Sequence, residues 1–132
     1  MADTWNADEL ERIGDSVELD LASRSADGSL SSFTTMWVAG TGDDLYVRSA
    51  GGPERPWYRR AVASRQGRIR AGGLERDVVF TTPPDDVHAD LDAVYHQKYD
   101  RYGPDPVGHV TGPEAVNVTI RLVPEPSAGG LS

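Results

Sequence analysis

The sequence predicts a mainly β protein, six antiparallel strands curled into a barrel with about three flanking helices. Three observations carry this expectation. Fourteen Gly and nine Pro separate short apolar runs, which excludes a helical bundle or coiled coil. Several runs alternate apolar and polar residues with the period of a half-buried strand. Too few helical crossovers separate the strands for a doubly wound parallel sheet, and curling removes the exposed edges of an antiparallel one.

The elements follow in chain order. Asn6-Ala7-Asp8-Glu9 has the capping-box pattern and opens a helix within residues 5–14, with Leu10 and Ile13 on its apolar side. Val17, Leu19 and Leu21 alternate with Glu18 and Asp20 in a first strand, and Ser25-Ala26-Asp27-Gly28 forms a turn. Phe33 to Ala39 reads as one second strand, joined by Gly40-Thr41-Gly42-Asp43-Asp44 to a third, Leu45 to Arg48. Gly51-Gly52-Pro53 breaks the chain before a helix that Pro56 starts and that runs to about Ala63. Arg68 to Ala71 and Asp77 to Thr81 pair across Gly72-Gly73. Thr82-Pro83-Pro84-Asp85 predicts a Thr-capped helix carrying Val87, Leu91, Val94, Tyr95, Lys98 and Tyr102, and Gly103-Pro104 stops it. The tyrosines Tyr95, Tyr99 and Tyr102 pack it on the barrel. Pro104 to Pro113 reads as a loop. Val116, Val118, Ile120 and Leu122 alternate in a last strand that Pro124 ends. Residues 1–132 form one domain, with a disordered tail over 127–132.

Composition narrows the function. The chain has no cysteine, which removes disulfides, thiolate catalysis and Cys-ligated metal sites. No apolar run reaches the length of a membrane span, and the acidic N-terminus lacks the apolar stretch of a secretory signal; the expected compartment is the cytoplasm. The net charge is −8, but residues 48–76 hold eight Arg against Glu54 and Glu75, or +6, leaving −14 elsewhere. Nucleic acid needs a broad basic face, so it is not expected as a partner. One basic segment in an acidic chain suits a small anionic ligand.

Within that segment, Arg48-Ser49-Ala50-Gly51-Gly52 precedes Pro56-Trp57-Tyr58-Arg59-Arg60. Glycines let backbone N–H groups approach an anion, Ser49 can donate a hydroxyl, and arginine grips phosphate bidentately. A phosphate cradle and a flexible loop beside a solvated arginine face both fit this spacing. His88, Asp92 and His96 recur every fourth residue, but the outer two lie about 12 Å apart along a helix, too far to share an ion. They read as an exposed stripe, and no metal site is expected. His109 stands alone in a Pro/Gly loop. No hydrolase motif is present.

The runs "MWVAGTGDD" and "LYVRSAGG…PWYRRA", with the later "AVYHQKYDRYGP", resemble the split β-barrel flavin-binding superfamily, the pyridoxamine-phosphate-oxidase-like proteins. They are most similar to the branch of deazaflavin-dependent nitroreductases and its small relatives. The resemblance covers roughly Val17 to Val123. It implies a six-stranded split barrel, a homodimer, and a cofactor at the interface, either FMN or the deazaflavin coenzyme F-420. It further implies an oxidoreductase that transfers hydride to a small electrophile. Ser49, Gly51 and Gly52 would line the cofactor phosphate or tail, and Trp57 would pack beside the ring or the dimer seam. Arg24, with Asp27-Gly28, matches a turn that touches the tail. Arg48, Arg59 or Arg60 would hold the phosphate, and Tyr58 is the candidate proton donor. A cofactor-free barrel that binds another anionic ligand or a partner chain is the alternative.

Overall fold

A computed structural model describes residues 5–125, so the tail expected over 127–132 lies outside the described residues. Helix α1, Ala7–Gly14, has the predicted capping box: Asn6 Oδ1 accepts from the Glu9 N–H at 2.8 Å, and Glu9 Oε1 accepts from the Asn6 N–H at 3.1 Å. Trp5 pins its start to the barrel by donating from Nε1 to the Leu122 carbonyl. Seven strands follow: β1 Glu18–Ser23, β2 Thr34–Trp37, β3 Ala39–Thr41, β4 Asp44–Arg48, β5 Gln66–Ala71, β6 Leu74–Thr81 and β7 Thr119–Pro124. The remaining helices are α2 Pro56–Ser64, α3 His88–Tyr99, α4 Pro104–Gly108 and α5 Pro113–Val116. None of the described helices is long and apolar enough to cross a membrane.

Seven strands and five helices, against six and about three expected, reflect two local corrections. The apolar run Phe33 to Ala39 is not one strand. Trp37 pairs with Glu18 of β1, whereas Ala39 pairs with Tyr46 of β4, and buried Val38 is the corner between them. The loop expected from Pro104 to Pro113 contains one-turn helices because a proline at the first helical position has its φ preset and lacks only an N–H that would go unbonded. Val116 therefore ends α5, and the last strand starts at Thr119. Thr82 caps nothing: a 3₁₀ turn, Asp85–Val87, follows Pro84 and leads into α3.

All strand pairs are antiparallel, in the order β2-β1-β5-β6-β7-β4-β3. β2 and β3 stand at opposite ends of that order, yet only Val38 separates them in the chain. Two Cα steps of about 3.8 Å cannot cross a flat sheet of this width, so the sheet curls until its two edges meet. The result is a nearly closed barrel. The β5–β6 hairpin turns on Gly72 and Gly73, whose φ values of 59° and 81° suit a primed two-residue turn.

β4 shows how the core divides. Leu45 and Val47 point into the barrel with Leu19, Ile69, Phe80 and Leu122, while Tyr46 points out beneath α3 with Leu91, Tyr95 and Tyr99. Both faces are covered, so β4 lacks polar alternation. Tyr95 and Tyr99 pack α3 onto the barrel as expected; Tyr102 is instead half exposed, its ring 5.7 Å from that of Trp37.

Candidate functional site

The last residues of β4 and the turn into α2 form the centre of the site. Ser49 donates its backbone N–H to Val118 O at 3.1 Å and its hydroxyl to Gly52 O at 2.6 Å, and Gly52 returns an N–H to Ser49 O. Both Ser49 donors are thus used within the fold, where they hold the glycine turn in shape.

Arg48 is buried and tied on all sides. Its Nη1 donates to Asp92 Oδ1 at 2.5 Å and Val110 O at 2.8 Å, its Nε donates to Thr119 Oγ1 at 2.9 Å, and its Nη2 stands 3.3 Å from His88 Nδ1. The Tyr95 ring lies 5.6 Å from the guanidinium carbon. Asp92 also accepts from the Gly112 N–H. One arginine therefore joins β4, α3, β7 and the link between α4 and α5.

This network corrects the reading of His88, Asp92 and His96 as an exposed stripe. His88 is half-buried against Arg48, Asp92 is its counter-ion, and only His96 is exposed, paired with Asp100 at 2.9 Å. Among the described residues no three His, Cys, Asp or Glu side chains gather in metal-ligating geometry.

A cleft of about 760 Å³ opens beside the turn. Thr34, Met36 and Trp37 of β2 form one wall; Trp57, Arg60 and the preceding Arg55 form the second; Pro106 and His109 of the α4 segment form the third. Gly51 and Arg48 also line it. Trp37 is fixed by stacking on Tyr99, centroids 4.0 Å apart and planes 6° from parallel. Trp57 meets the Tyr58 ring edge to face at 5.8 Å. Apolar and aromatic surface thus faces Arg55 and Arg60 across one opening, which Glu18 and Asp105 also line.

Of the residues the sequence singled out, the cleft collects Arg48, Gly51, Trp57 and Arg60. Ser49 and Gly52 line a second cavity on the far side of the turn. Arg24 lines a third, polar cavity of about 520 Å³ that it shares with Arg60; it donates to Gly28 O and to Asp77. The hydrogen bond from Arg68, with Arg24 nearby, holds the Asp77 carboxyl below its ordinary value. Arg59 is exposed and lines none of these three cavities. Tyr58 turns away: its hydroxyl donates to Asn117 O at 3.1 Å, and burial raises the phenol above its ordinary value.

Three contributors lay outside the sequence reading. The β2 wall appears in the sequence only as part of the apolar run Phe33 to Ala39, with nothing to mark Met36 and Trp37 as facing a cleft. Arg55 stood one residue before the expected helix. His109 had no visible partner, and only the α4 turn brings it to the cleft.

A family model described as "Uncharacterized protein conserved in bacteria (DUF2255)" matches residues 9–122. No curated protein matches the chain. Among solved structures, an F-420 reductase, 20% identical, superimposes with a TM-score of 0.53 over 90% of this chain and 93% of its own. A conserved hypothetical protein from Mycobacterium tuberculosis, 13% identical, gives 0.65 over 96% and 85%. An FAD-binding protein from Mesorhizobium loti, 19% identical, gives 0.52 over 93% and 92%. At these identities the likeness is one of fold.

Proposed function

The chain belongs to the bacterial family DUF2255 and has the fold of the split β-barrel flavin-binding superfamily, and from that premise we propose that its cleft binds a flavin-type cofactor, FMN or the deazaflavin coenzyme F-420. The observation that carries this reading is the pairing, in one opening of about 760 Å³, of Met36, Trp37 and Trp57 with the exposed guanidinium of Arg60. A planar heteroaromatic ring with an anionic tail needs both kinds of surface. Two proteins of similar structure, an F-420 reductase and an FAD-binding protein, support this reading.

The residues fit such a group in detail. Trp37, held by Tyr99, and Trp57 would flank the ring. Arg60 would take the phosphate, and because it also borders the polar cavity of Arg24, a longer tail can continue there. Ser49 and Gly52 brace the turn so that Gly51 borders the cleft without a side chain. Arg48 binds no ligand in this reading; it fixes the turn and the α4 wall. A bound flavin or deazaflavin supplies hydride transfer itself, so acid–base machinery in the cleft is not required. The protein acts as an oxidoreductase on a small electrophile, and two copies associate with the cleft near their interface.

The test is optical. Titration with FMN and with F-420 is expected to give a saturable change in absorbance and fluorescence for one of them.

A further inference from the structure

Gly51 separates two cavities. On one side is the cleft just described; on the other is a larger one, about 970 Å³, between the glycine turn and the α4–α5 segment. Both are bordered by Ala50, Gly51, Arg55 and His109. Arg55 lies across Gly51 so closely that a Cβ there would overlap its Nε and Cζ. Glycine at 51 therefore seats this guanidinium at the boundary. Among the described residues Arg55 has no carboxylate or carbonyl partner, and it makes no ion pair with Glu114, the one carboxylate on the wall of the larger cavity.

We infer that this larger cavity binds a small organic monocarboxylate, with Arg55 as its cation and His109 beside it. The planar fork of arginine matches a carboxylate through two parallel hydrogen bonds. A monoanion suits this cavity better than a phosphate dianion, because Arg55 is the one arginine or lysine among its lining residues and Glu114 shares the wall. That the anchored compound also carries, apart from its carboxylate, the electrophilic centre that accepts hydride from the neighbouring cofactor rests on the proposed function; its binding does not.

The chain has three histidines, and His88 and His96 are engaged with Arg48 and Asp100, away from this cavity. Proton–carbon NMR of the histidine Cε1–H groups therefore reads the site without any cofactor. Benzoate added to the protein should move the His109 signal saturably, with a dissociation constant of about 1 mM or tighter. Benzamide, neutral and of the same shape, should not. R55A should weaken benzoate roughly ten- to a hundredfold, the worth of a charge-assisted hydrogen bond. G51A should do the same with the charge retained, because its methyl displaces the Arg55 side chain. R60A, outside this cavity, should bind benzoate like the parent.

No saturable His109 shift, equal binding of benzamide, or unchanged binding in both R55A and G51A would overturn the inference. Tighter binding of inorganic phosphate than of benzoate would overturn the ligand class. Failure here with intact flavin binding removes this inference alone, and the reverse result removes the cofactor reading alone.

Discussion

The enclosed guanidinium of Arg48 donates to the Asp92 carboxylate at 2.5 Å, and Asp92 is itself only one-third exposed. The pair spans 44 residues of sequence and holds one wall of the cleft through Val110 and Gly112. Removing one partner strands the other charge. D92A should destabilise the protein by about 3 kcal/mol, the low end for breaking a buried pair, because solvent reaches part of the site. D92N, which keeps an accepting oxygen, should lose less. Urea unfolding of the three proteins with equal slopes checks the order.

The barrel seam gives a second expectation. Tyr99 Oη accepts from the Val38 N–H at 3.2 Å and lies within donating distance of Val17 O, at 2.6 Å, and of Val38 O. These are backbone groups at the corner where the sheet changes edges. Y99F keeps the stack on Trp37 but leaves buried polar groups unbonded, which should cost about 1–3 kcal/mol. A melting temperature equal to that of the parent would show that the seam does not depend on this hydroxyl.

Stability should also respond to pH through Lys98, the one lysine in the chain, which donates to Val38 O at 2.7 Å. Burial pushes its pKa down from 10.5 to about 8, with Asp15 opposing. Between those values the unfolded chain holds the proton more tightly, so stability rises as pH increases from 8 to 10.5. Tyr99 acts in the next window. Burial raises its pKa from 10.0 to about 12, so above pH 10 the unfolded state ionises first and stability falls. Thermal melts should therefore improve from pH 7.5 to 9.5 in the parent, and this gain should shrink in K98M.

What a sequence displays depends on how far apart in the chain the interacting groups lie. The Asn6–Glu9 capping box and the Gly72-Gly73 hairpin were legible because their hydrogen bonds or turn angles are set within a few residues. The break at Val38 was not, since the apolar run continues through it and only the partners, β1 on one side and β4 on the other, differ. Arg48 read as a phosphate ligand because it ends a strand before glycines; its partners lie 40 to 71 residues away. Trp57 entered through the family resemblance and Arg60 as one of the arginines after Gly51-Gly52, and both line the cleft. Arg55 was missed because its position depends on lying over Gly51, a contact that composition does not reveal.

Assembly is a separate expectation. Sedimentation at micromolar concentration should report the mass of two chains, and the same experiment on W57A should show whether the cleft edge belongs to the seam. A single-chain mass across that range would contradict the dimer.

The central claim is that Arg60 and the two tryptophans hold a flavin-type cofactor, and a fluorescence titration at fixed ionic strength tests it most directly. The parent should bind FMN or F-420 saturably; R60A should bind it roughly ten- to a hundredfold more weakly, by the worth of a charge-assisted hydrogen bond. R59A and R65A should change little, because neither side chain lines the cleft. If the parent binds neither cofactor up to about 1 mM, or if R60A binds like the parent, the cleft does not serve that ligand.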